Sequence, residues 1–247
     1  MMNEISRAHF LKLLLAGAVL APRMAALGGG LNELRGDRVG WARLKTPSQW
    51  WNRHAEGDPT PMQFLRENTT LNILSKWNVA DAEDLDSLTR FPFIFTQEID
   101  SIVSARGRSN LGEYLRRSGF LLIDTCINAG INPSPDACLQ RQVAALGEVL
   151  PRSKVALLPS THGIYRSHFQ FAAGKPPHTF HNSVFDERWN RHGLYGIELD
   201  GRMAGVITLS GLQCAWAHAV PGMPVGHDVA CMQMLANIYI YAMTAGS

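Results

Sequence analysis

The stretch GFLLIDTCINAG, Gly119 to Gly130, decides how this chain is read. Phe120 to Ile123 are apolar in succession, and the run stops at Asp124, Thr125 and Cys126. A short apolar run bounded by glycine and polar residues fits a strand buried on both faces, the habit of parallel sheets. Two other segments have the same form, FPFIF at 91–95 and KVALLP at 154–159. Between them, NLGEYLRRSG places Leu111, Tyr114 and Leu115 in helical register, with Gly119 where a helix C-terminal glycine belongs. From Asp136 to Leu150, the residues Leu139, Val143, Leu146 and Leu150 recur on one helical face. Short apolar strand alternating with amphipathic helix predicts an α/β fold, a mostly parallel sheet with helices on both faces. The three apolar runs near 93, 121 and 157 are expected side by side, pointing the same way.

Working outward, WARLK (41–45) reads as the first strand. The turn-rich loop at 46–61 carries Trp50, Trp51, Arg53 and His54, which either line a pocket or plug the loop onto the core. MQFLREN predicts a short helix, TTLNIL a second strand, and DAEDLDSL an acidic surface segment. Residues 163–193 break the rhythm and read as an irregular insertion. GIELDGRMAGVITLS predicts a hairpin, since Asp200-Gly201 is a strong turn dipeptide between two strand-like runs. Asp228 to Thr244 closes the chain as a helix, with Val229, Met232, Leu235, Tyr239 and Ala242 on its expected buried face.

The 247 residues are 46% hydrophobic and 18% charged, enough for one substantial core and unlike a disordered chain. The 23 basic and 21 acidic residues become 20 of each once Arg7, Lys12, Arg23 and Glu4 of the N-terminus are set aside. A neutral body is a poor footprint for nucleic acid or an anionic membrane surface. Residues 1–26 have a basic lead, an apolar stretch from Leu13 to Ala21 and small residues to Ala26, the order of a cleaved export signal. Ser6 to Lys12 resembles the twin-arginine export motif, with Ala8 in place of one arginine. The organisation expected is therefore an export signal (1–26), a glycine-rich linker (27–40) and a single α/β domain (41–247), in the periplasm or cell envelope. No membrane span is expected after signal cleavage. Cysteines 126, 138, 214 and 231 show no Cys-x-x-Cys spacing, and no metal site is assigned from them.

Ligands of open parallel sheets bind beyond the carboxyl ends of the strands. That rule selects Thr96, Gln97 and Glu98 after one strand, and Asp124, Thr125 and Cys126 after the next. It also selects Ser160, Thr161 and His162 after 154–159, and Ser210, Gln213 and Cys214 after the hairpin. Cys126 at a sharp strand end resembles a nucleophile elbow, with His162 as its base and Asp124 as a third member. Yet Thr125 and Ile127 stand where an elbow has glycines, and a free cysteine there is more commonly a buried core residue. Asp124 is a general base or a cap accepting backbone N–H groups. His162, His168, His178, His181 and His192 cluster in the sequence, and read mainly as loop or core-edge hydrogen bonders. There is no Walker A loop, no GxGxxG after a strand and no GxSxG, so no cofactor is assigned.

The blocks FPFIFT, YLRRSGFLLIDTC, EVLPRSKVALLPSTHGIYRS, LYGIELDGRMAGVITLSGLQCAW and ACMQMLANIYIYAMT are similar, in order, to the bacterial family called domain of unknown function 4159, over roughly residues 41–244. The resemblance implies a class I glutamine amidotransferase-like fold, a flavodoxin-like α/β sandwich, in exported or membrane-associated proteins. It brings no established activity. It directs attention to Asp124, Cys126, His162, Cys214 and Trp216. This chain has TQEID where the family often has Gly-His, Thr125 where it often has Asp or a small residue, and Ala217 where it often has Glu after Cys-x-Trp. Those departures remove acid–base or ligand groups from one rim.

The expected function is that of an envelope module binding a small-molecule ligand or a protein partner at the rim. Thr96, Gln97, Glu98, Thr125, Gln213, Cys214 and Trp216 are the expected contact residues. The alternatives are a hydrolase or amidotransferase-like enzyme using Cys126, His162 and Asp124, and a metal-binding protein using Cys126, Cys214 and nearby histidines.

Overall fold

The structure, a computed structural model, describes residues 38–125, 134–177, 191–217 and 227–244. In chain order its regular elements are β1 (Ala42–Lys45), α1 (Pro59–Asn68), β2 (Asn78–Asp81), α2 (Leu85–Thr89), β3 (Phe93–Thr96), α3 (Ala105–Arg116) and β4 (Phe120–Asp124). They continue with α4 (Pro135–Val149), β5 (Lys154–Leu157), β6 (Leu194–Leu199), β7 (Arg202–Thr208), α5 (Leu212–Ala217) and α6 (His227–Thr244). One sheet has the order β2-β1-β3-β4-β7-β6-β5. The pairs β1–β2, β1–β3, β3–β4 and β4–β7 are parallel, whereas β6 is antiparallel to both β7 and β5. The first four strands and β7 thus reproduce the flavodoxin-like order 2-1-3-4-5, with β7 arriving through the hairpin.

The strands are where apolar runs can be buried twice. Phe93, Phe95, Phe120, Leu122 and Val206 face a cluster with Trp41, Met62, Leu65, Trp216, Leu235 and Tyr239, covered by α1, α5 and α6. Ile94, Leu121, Ile123 and Ile207 face the opposite cluster with Leu88, Leu111, Tyr114, Leu115 and Leu146, covered by α2, α3 and α4. Alternate residues of one strand feed different cores, as a period of two requires. Helix starts follow capping chemistry. Asp84 accepts from the amides of Asp86 and Ser87, Ser104 from Gly107, and Ser134 from Ala137. At the hairpin, Asp200 (φ 50°) and Gly201 (φ 81°) both take the left-handed conformation that a two-residue turn demands.

Several expectations are corrected. β5 is not a buried central strand. It runs in the direction of β4 but lies three strands away at the sheet edge, with three of its four residues exposed. An apolar run signals a strand without saying which neighbours it will find. TTLNIL supplies only a bridge from Ile73 to Val39, and the second strand is Asn78–Asp81 instead. Pairing with β1 outweighs the modest strand propensity of NVAD. DAEDLDSL divides between the end of β2 and helix α2. The residue in left-handed conformation after α3 is Ser118 (φ 70°), one before Gly119. On α6 the residues Leu235, Tyr239 and Ala242 are buried, but Val229 is 41% exposed. No helix among the described residues is long and apolar enough to cross a membrane.

Candidate functional site

The register of the parallel strands sets the rim. Arg43 pairs with Phe95, Thr96 with Ile123, and Asp124 with Thr208. The same register, continued one residue past β3, sets Lys45, Gln97, Asp124 and Thr208 at one level across β1, β3, β4 and β7, with Thr46 one residue further along. The strand order reverses between β1 and β3, so this rim includes the switch point where two connections part and leave room for a ligand.

The loop after β1 is held over this rim by a buried ion pair. Arg43 Nη2 lies 2.6 Å from Asp58 Oδ1, and Nε donates to Asp58 Oδ2 at 2.9 Å. Both side chains are wholly buried. The remaining fork of Arg43 donates to the carbonyls of Trp51 and Arg53, and Trp41 Nε1 donates to Asp58 Oδ2. The guanidinium also stands 4.9 Å from the centre of the Phe95 ring. A buried charge is tolerable only when its partner and its hydrogen bonds are all supplied, as they are here. Outside this anchor the loop presents Trp50, 52% exposed, with the Arg53 guanidinium 5.1 Å from its ring centre. His54 takes a left-handed φ of 59° and accepts from Arg53 Nε. The loop rests on α5 so closely that a Cβ on Gly57 would lie 2.5 Å from the Ala217 Cα.

Asp124 is buried, and both its oxygens are engaged by the start of α5. Leu212 N–H donates to Oδ1 at 3.0 Å and Gln213 N–H to Oδ2 at 2.8 Å. Its geometry is that of a cap, although for α5 rather than for the turn that follows it in sequence. Gln97 donates to the Gln213 side-chain oxygen, and Gln213 in turn donates to the Arg53 carbonyl at 3.0 Å. One amide chain therefore links β3, α5 and the Trp50 loop. The Thr96 hydroxyl donates to the Glu98 carbonyl, and the Thr125 amide and hydroxyl donate to the Thr208 carbonyl. Trp216, one helical turn after Gln213, stands edge-on to Trp41 and Phe95 at 6.2 and 6.0 Å.

Among the described residues six buried side-chain polar atoms have no hydrogen-bond partner, and three of them, Thr46 Oγ1, Ser210 Oγ and Trp216 Nε1, belong to the segments that follow β1 and β7. Each such group costs about 1–3 kcal/mol.

The structure brings Thr96, Gln97, Glu98, Asp124, Thr125, Gln213, Cys214 and Trp216 to one end of the sheet. It does not bring His162 there. β5 stands three strand spacings, about 14 Å, from β4 in the sheet. His162 accepts from the Ile164 amide and rests 5.2 Å from the Tyr241 ring. It lines a pocket of about 310 Å³ with Lys154, Ala156, Glu198, Met203 and Tyr241. Burial, and secondarily the Arg166 charge, hold its pKa below the ordinary histidine value.

Cys126, His178 and His181 lie outside the described residues. Cys138, Cys214 and Cys231 are buried. Two of the clustered histidines are hydrogen bonders, His168 on the exposed loop and His192 buried. His168 Nε2 donates to the Asn68 carbonyl, and His192 Nδ1 shares a 2.6 Å bond with the Tyr195 hydroxyl. Among the described residues no three His, Cys, Asp or Glu side chains are grouped to hold a metal ion.

A protein-family model described as a domain of unknown function (DUF4159) matches residues 41–243. The chain belongs to that family. The matched span runs from the residue before β1 to the last turn of α6, so the whole sheet and every rim residue named above are DUF4159 sequence. No curated protein matches the chain in sequence.

Sequence reasoning missed Arg43 and Asp58, the pair that shapes the DUF4159 rim in this chain. The available signal was an arginine inside an apolar strand, WARLK, where a charge needs a buried partner. Nothing in the sequence pointed to Asp58 as that partner.

Proposed function

We propose that this protein is an exported binding module that takes a small ligand at the carboxyl rim of its sheet, between the Trp50 loop, Gln97 and α5. The observation that carries this reading is the topological switch point between β1 and β3, beside the loop that presents the exposed Trp50. The chemistry around them favours holding over reacting. Asp124 has both oxygens committed to amides of α5, the geometry of a cap. His162 follows β5, three strands from the β4 that carries Asp124, which weighs against a relay between them. The signal-like residues 1–26 support delivery to the periplasm or envelope.

Hydrolysis of amide, ester and glutamine substrates by the wild-type protein and by Cys126→Ala tests the alternative. No turnover that depends on Cys126 is expected, and turnover lost in the variant would overturn the binding reading. Mass spectrometry of protein from the envelope fraction is expected to show a chain beginning near Leu27, and an intact Met1 there would overturn the cleaved-signal part.

A further inference from the structure

We infer that the pocket between the β5–β6 edge of the sheet and the last turn of α6 takes a free α-amino acid with an apolar side chain. The pocket is separate from the rim and does not depend on what the rim binds.

The pocket holds about 310 Å³, the size of a site for one small molecule. Ala156 and Gly196 line it without bulk, and a Cβ on Gly196 would stand 2.7 Å from the Leu158 side chain and 3.2 Å from that of Met203. Leu158 and Met203 therefore close over the glycine as an apolar floor. Tyr241 of α6 forms a wall, with the His162 ring 5.2 Å from its own. His162 Nδ1 accepts from the Ile164 amide, so the neutral ring carries its proton on Nε2. Burial favours that neutral form.

Fixed charge belongs to the other end. Lys154 opens β5 and Leu158 follows its last residue, about 13 Å away along an extended chain. Lys154, Glu198 and Arg202 line the pocket there, and Arg202 Nη2 is tied to the Leu115 carbonyl. Lys154 and Glu198 are partners in the antiparallel register, where opposite charges ordinarily pair, yet among the described residues neither forms a salt bridge. The pocket thus offers a cation and an anion side by side, next to an apolar chamber. A phosphate or dicarboxylate would suit Lys154 and be repelled by Glu198, and a diamine the reverse. A neutral ligand would use neither. An α-amino acid carries carboxylate and ammonium on one carbon, so its head group meets Lys154 and Glu198 together while its side chain lies against Leu158, Met203 and Tyr241.

The test is calorimetric titration of the purified protein with L-leucine, L-methionine and L-phenylalanine, each beside its N-acetylated and amidated forms, which lack one charge. The Met203 methyl resonance locates the binding. At least one amino acid is expected to bind saturably and to shift that resonance, and its blocked forms to bind about fivefold more weakly, the loss of one exposed ion pair. Lys154→Gln and Glu198→Gln are each expected to weaken binding by the same factor. Ala156→Phe fills the pocket from an exposed strand position, so it is expected to abolish binding while the chain stays folded. No binding by any of the three amino acids, blocked forms that bind as well as the free ones, or binding unchanged in all three variants overturns the inference.

Discussion

On β3 all four residues are buried, and the charge on the neighbouring strand, Arg43, is closed in by Asp58 and two carbonyls. On β5, at the far edge of the same sheet, Lys154, Ala156 and Leu157 face solvent, and Lys154 stands opposite Glu198 on β6. Both strands are short apolar runs in the sequence, and both point the same way. Their surroundings differ because a parallel strand between two neighbours needs helices over both faces, whereas an edge strand entered by a hairpin does not. The comparison explains why polar groups at the centre are organised into a fixed network. Buried there, each must find a partner or a ligand, and at the edge water serves.

Mutations sharpen the contrast. The largest effect is expected for Asp58→Ala, which leaves Arg43 buried without its counter-charge and should cost about 3–5 kcal/mol in denaturant unfolding. A loss below about 1 kcal/mol would mean that the centre tolerates charge as the edge does. Asp124→Asn keeps the shape but weakens the cap on α5, and is expected to lose about 1.5–3 kcal/mol by the same measurement.

A smaller effect is expected from acid. Burial lowers the pKa of His192, opposed in part by Asp136, and burial also lowers that of His162. The folded state therefore binds protons less readily than the unfolded chain. The stability these histidines support is intact above the unfolded value of about 6.5, and is lost as pH falls from there to the folded value. Thermal melts between pH 7.5 and 5 should show this decline, and His192→Gln should flatten it. An unchanged slope in the variant would exclude His192 as the source. The smallest effect is expected at the edge, where Leu157→Ala should change stability by no more than about 0.5 kcal/mol, because the side chain is half exposed already.

Legibility in the sequence followed locality. FLLID, FPFIF and the Asp200-Gly201 turn were readable because burial period and turn chemistry act over a few residues. The same is true of the helices over 105–116 and 135–149. The rule that ligands meet the carboxyl ends of strands selected Gln97, Asp124 and Gln213 without a motif, and these three do share one end of the sheet. It failed for His162, since it was applied to a strand whose neighbours were unknown. The role of Asp124 was open between base and cap, and only its distance to two amides of α5 separated them.

By itself the amino-acid sequence marked most of the strands and helices, where the hairpin turns, and that the residues after a signal-like N-terminus are neutral overall. These depend on alternation, capping and charge, all of which are properties of neighbouring residues. Strand order, the pairing of Arg43 with Asp58 and the link from Gln97 through Gln213 to the Arg53 carbonyl were decided only in the tertiary structure. They join residues far apart in the chain, and the free energy that selects them comes from burying both faces of the sheet at once, a requirement no local window of sequence contains.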